Sequence, residues 1–153
     1  MIFLIVGDQL VGNLSKLKAT IIQIIEDNKD KVISQITAQK EAMFENNTHS
    51  WSPLKPQTIE RKKREKDLFK NPESINIRKG GLFQAFTNTG SYKVENNNEI
   101  LDFNIDLSNF EKTKSDTVAS HGRNAVDITA SELNQITNTL AKLITENLKQ
   151  QYE

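Results

Sequence analysis

The sequence predicts an α+β domain, with N-terminal helices and a C-terminal helix packed on a small antiparallel sheet that contains a β-hairpin. Two patterns carry that reading. Apolar residues recur every three or four positions from Leu10 to about Asn46, and again from Leu133 to Leu148, which is the spacing of one helix face. Between these stretches Leu101, Phe103, Ile105 and Leu107 alternate with polar residues, the period of a strand with one wet face. At 153 residues the chain is most simply one domain with room for a real core.

Composition narrows the function classes. Twenty basic residues balance twenty acidic ones, which disfavours a dedicated nucleic-acid binder and leaves association with protein surfaces open. The absence of cysteine removes disulfides, Cys-zinc sites and thiol nucleophiles, and it leaves the redox compartment undetermined. The apolar start, Met1 to Val6, is too short for a secretory core or a membrane span, and it is expected to be a short strand or packed arm.

In chain order, the polar stretch Glu26–Asp30 interrupts the first helical stripe. Two helices hinged there, or one long bent helix, are expected, with Asn28 or Asp30 as a cap. The stripe lacks the lysine-rich face and bulky aromatics of a membrane-surface helix. Residues 46–50, Asn-Asn-Thr-His-Ser, form a turn cluster. The strap Trp51-Ser52-Pro53-Leu54-Lys55-Pro56 is stiffened by two prolines, with Trp51 and Leu54 as apolar anchors. A short helix then begins at Thr58 and runs to about Phe69. It carries Arg61, Lys62, Lys63, Arg64 and Lys66, a run that reads as a solvated face because carboxylates interrupt it.

Asn71-Pro72-Glu73-Ser74 is a turn, and Ile75-Asn76-Ile77 alternates like a short strand. Gly80-Gly81 precedes a helical turn at Leu82–Phe86; the pair lacks the Walker spacing, so a tight turn is expected. Two strands, 91–95 and 100–107, pair across Asn96-Asn97-Asn98. Ser108–Gly122 is polar and expected to be a mobile loop. Thr129-Ala130-Ser131-Glu132 is a capping box that opens a helix over 129–150.

No catalytic constellation stands out. His49 and His121 fall in loops without metal-pair spacing, and no nucleophile elbow occurs. An enzyme would therefore need a spatially assembled site, with His49 or His121 beside a carboxylate in a deep pocket. No catalytic, metal or cofactor-binding residue is assigned.

The order of motifs is more specific. Trp51-x-Pro53-Leu54, Thr58, Lys62-Lys63, Ile75-x-Ile77-Arg78-x-Gly80-x-Leu82, a hairpin and Arg123-x-x-Val126-x-Ile128-Thr129 follow one another after Phe44. This order resembles the phage virion morphogenesis family, the tail-completion proteins of Mu-like and P2-like phages. Lys79 stands where that family usually has Thr, Asn124-Ala125 replaces Pro-Phe, and Asp127 replaces Gly. The resemblance implies a structural protein that completes the tail or joins it to the head. It would act as a ring-shaped homo-oligomer against other tail or head-completion proteins, in the virion or the host cytoplasm during assembly. It points to Trp51, Leu54, Arg78, Lys79, Gly80, Leu82, His121 and Arg123 as assembly contacts. The alternative is a small nucleic-acid-associated or regulatory protein using the basic helix at 61–66.

Overall fold

The computed structural model describes residues 2–96 and 100–152, with side chains from Leu14 to Gln151 apart from the hairpin tip. Helix α1 spans Ile2–Asp27 and α2 spans Lys29–Asn46. The apolar start is thus the first turns of a helix rather than a short strand, and Gly7-Asp8 does not end it. Asn28 is the one-residue break. Its side chain donates back to the Ile24 carbonyl at 2.8 Å, and its backbone N–H is shared between the Ile24 and Ile25 carbonyls. It therefore closes the end of α1 and makes no side-chain cap for α2.

Asn47 leaves α2 in the left-handed conformation, φ 51°. Its amide spans the turn in both directions, donating to the Trp51 carbonyl at 2.9 Å and accepting from the Trp51 N–H at 2.7 Å. That clamp sets Trp51 edge-on to Phe44, with ring centroids 5.9 Å apart.

Helix α3 is Pro56–Lys63. It begins two residues before Thr58 because Pro56 already has the helical φ and needs no N–H partner at the first position. It ends well short of Phe69. Residues 75–77 form turns rather than a strand, with Asn76 left-handed at φ 59° and its amide donating to the Arg123 carbonyl.

Helix α4, Gly81–Thr87, buries Leu82, Phe83, Ala85 and Phe86. A 3-10 turn at Thr89–Ser91 leads into β1, Tyr92–Asn96, which pairs antiparallel with β2, Leu101–Ile105. This hairpin is the whole sheet among the described residues. The expected turn at 96–98 lies mostly outside them. Tyr92 anchors the hairpin base: its hydroxyl donates to the Phe86 carbonyl at 2.8 Å, and burial pushes its pKa up to about 12.

The expected mobile loop at 108–122 is instead helix α5, Asn109–Ser120. Ser108 accepts from the Glu111 N–H, and Glu111 reaches back to the Ser108 N–H, a full capping box. Helix α6, Ala130–Tyr152, opens on the expected box between Thr129 and Glu132. It packs against both α1 and α2, while α4 is held between α2 and α5. Met43, Phe44, Trp51, Ile77, Leu82, Phe83, Phe86 and Ala125 form the core, with Ile105, Leu107 and Val118 packed against it.

Candidate functional site

A groove of ≈610 Å³ opens where α3, the 76–82 segment and α5 meet. Leu54, Ile77, Leu82, Phe110 and Val118 supply its apolar lining. Arg61, Lys62, Arg78, Lys79, Lys114 and Arg123 line it as well, and no carboxylate does. The sequence spreads these cations over four segments, so only the fold brings them together.

Each cation is held differently. Lys62 is 5% exposed and donates to the Ser74 and Ile77 carbonyls at 2.7 Å each, so it belongs to the interior and not to a solvated helix face. Burial lowers its pKa from the ordinary lysine value. It ties α3 to the turns that precede α4. Arg78 makes a forked pair with Glu65, Nε lying 2.8 Å from each carboxylate oxygen, and this hydrogen bonding holds the Glu65 carboxyl below its usual range. Arg123 donates to the Ser52 carbonyl at 3.0 Å and the Pro53 carbonyl at 3.3 Å, pinning the strap. Its Nε is buried without a hydrogen-bond partner. Lys114 lies 3.9 Å over the Phe110 ring. Arg61, Lys79, Lys114 and Arg123 form no ion pair among the described residues.

Gly80 forms the lip of the groove at φ +83°, a left-handed conformation that favours glycine. An added Cβ there would stand 2.6 Å from Cγ of Phe69. The ring of Phe69 thus covers the Gly80 backbone on the side a Cβ would occupy.

Of the sequence-derived contact residues, Leu54, Arg78, Lys79, Gly80, Leu82 and Arg123 line this one groove. Trp51 and His121 do not. Trp51 is 6% exposed and serves the core. His121 is exposed at the end of α5, where Nδ1 donates to the Thr117 carbonyl at 2.7 Å. Sequence reasoning missed the α5 wall of Phe110, Thr113, Lys114, Thr117 and Val118. The signal for it was present in the Ser108-x-x-Glu111 capping pattern.

A second polar cluster lies away from the groove. His49 Nε2 sits 3.0 and 2.9 Å from the two Glu132 oxygens, and Glu132 also accepts the Thr129 N–H. Lys40 lies close by and donates to the carbonyls of Ala125, Val126 and Asp127. Burial lowers the Lys40 pKa to about 8, partly offset by the charges of Glu132 and Asp127. His49 therefore does meet a carboxylate, but it lines neither the groove nor the ≈560 Å³ cleft between α2 and the hairpin. The cluster fastens the start of α6 to the 47–51 turn. Among the described residues no group of three His, Asp or Glu side chains is placed to share a metal ion, and no helix is long and apolar enough to cross a membrane.

Fold and groove together define an α+β domain with a cationic, apolar-floored cleft. No protein-family model matches the chain, and no curated protein or solved structure matches it.

Proposed function

We propose that this chain is a structural protein of phage virion morphogenesis, completing the tail or joining it to the head by assembling into an oligomeric ring. One observation supports the reading most strongly. Six of the eight positions singled out by resemblance, from segments 54, 78–82 and 123, converge on a single groove. A groove with unpaired cations and an apolar floor suits docking against a protein surface, where apolar contact supplies affinity and charge sets orientation. The ring partners are further copies of the chain, and the neighbours are other tail or head-completion proteins. The work takes place in the virion or in the host cytoplasm during assembly.

The test is genetic. Deleting the gene from the genome that encodes it should leave separate heads and tails in electron micrographs of induced lysates. Lysates in which joined particles form as before overturn the reading, as do lysates that hold no phage structures even with the gene present.

A second reading has one observation in its favour: no carboxylate lines the groove, so it could equally seat a nucleic-acid backbone. That reading requires affinity for DNA that falls steeply with salt. The balanced charge of the whole chain weighs against it.

A further inference from the structure

The hairpin carries the charge that the groove lacks. In the β1–β2 register Glu95 stands directly opposite Asp102, and both side chains are exposed. Like charges directly opposite each other across an antiparallel pair are unfavourable. Neither carboxylate has an ion-pair partner among the described residues. The strand lysine, Lys93, is already taken by Asp106 at 2.5 Å. A third carboxylate, Glu26 at the end of α1, is held at this end of the hairpin by the Asn96 amide at 2.6 Å. Beside these charges Ile100 is 56% exposed. The outer half of the hairpin thus presents carboxylates around an exposed apolar side chain.

We propose that the acidic outer half of the hairpin of one copy docks in the basic groove of the next. Glu95 and Asp102 meet Arg61, Lys79 and Lys114, and Ile100 reaches the apolar floor. This rests on the reading of the chain as a self-assembling virion protein, and it names the occupant of the groove. The occupant has to come from another copy. The hairpin is rooted on the core through Tyr92 and Ile105, next to the segment that leads into α5 and the groove. Its acidic pair lies three residue steps outward, about 10 Å at the strand rise of ~3.3 Å per residue, where Asn96 binds Glu26 of α1, and no residue of either strand lines the groove of the same chain.

Two complementary surfaces on different parts of one chain make a head-to-tail contact. Repetition of such a contact closes a ring or extends a filament. A groove of ≈610 Å³ seats only a few side chains, so one contact is small and weak by itself. Ring closure adds the contacts together. This arrangement also explains how a chain with balanced total charge can attract itself: the opposite charges are segregated onto the two surfaces.

The test uses two variants of the full chain. One is Lys79→Glu with Lys114→Glu, which places two carboxylates in the groove where the acidic pair would dock and leaves the hairpin acidic. The other is Glu95→Gln with Asp102→Asn, which neutralises the hairpin and leaves the groove basic. Each variant alone should self-associate about tenfold more weakly than the wild type, or worse, in sedimentation velocity. Mixed in equal amounts they retain one working interface, and a heterodimer that grows no further is expected. The heterodimer also shows that both variants are folded. If both variants keep the wild-type mass distribution, the hairpin–groove contact is wrong while the morphogenesis reading stands. If the wild type associates but the mixture stays monomeric, the groove has a different occupant, and binding of an acidic peptide or of single-stranded DNA would identify its class. A wild type that is monomeric at every concentration overturns both the contact and the ring.

Discussion

Replacing Gly80 with alanine tests whether the groove lip is set by backbone conformation and by the ring that covers it. At φ +83° an L-residue is strained, which costs about 1–2 kcal/mol. The new methyl would also stand 2.6 Å from Cγ and 2.8 Å from Cδ2 of Phe69, so the ring must move. Phe69 is 42% exposed and lies on Phe83 with centroids 5.6 Å apart. Displacing it loses roughly half the burial value of a phenylalanine, about 1 kcal/mol. The sum is about 2–3 kcal/mol, and for a chain of this size that lowers Tm by about 4–12 °C. Urea and thermal melts of G80A, F69A and the double variant form a cycle. Without the Phe69 ring the clash disappears, so the double variant should be more stable than additivity predicts by about 1 kcal/mol. A G80A melt within about 0.5 kcal/mol of wild type, together with strict additivity, would refute both the strain and the clash.

Three further outcomes follow from the buried polar groups. Lys40 has a folded pKa lowered to about 8, so above that pH the unfolded chain holds more protons at this site. Stability should therefore rise between about pH 8 and 10, and Lys62, shifted in the same direction, adds to the trend. Above about pH 10 the raised Tyr92 pKa acts with the opposite sign; urea melts across this range check both, and K40M should flatten the rise. K40M should also free the 125–127 carbonyls, cost about 2–4 kcal/mol, and speed amide exchange at 125–128 with little change in α4. Glu132→Ala removes the side-chain half of the capping box, the acceptor of the Thr129 N–H, together with the His49 partner, so a loss of about 1–3 kcal/mol is expected in chemical denaturation.

The helices at both ends and the hairpin were legible because burial imposes a period on the sequence, and the Thr129–Glu132 box was legible because a cap is a local pattern. Helix α5 was not recognised, because its side chains are mostly polar and only Ser115 is fully buried, so no apolar stripe announces it. The Ser108–Glu111 box was the one cue. The strand expected at 75–77 failed for a related reason. Its Ile-Asn-Ile alternation arises from turns that point Ile75 and Ile77 inward around a left-handed Asn76, and three residues cannot distinguish the two. The basic run after Thr58 misled over Lys62, since nothing local shows that the Ser74 and Ile77 carbonyls wait for it. The groove residues were identified mainly by motif order. Their convergence, and the added Lys114 wall, are tertiary facts.

Solution mass of the wild-type protein, measured by light scattering across a concentration series at low and high salt, tests the central claim most directly. The account predicts a mass that rises with concentration to a fixed multiple of 17.4 kDa and falls back as salt screens the exposed charges. A mass of 17.4 kDa at every concentration and salt would contradict it.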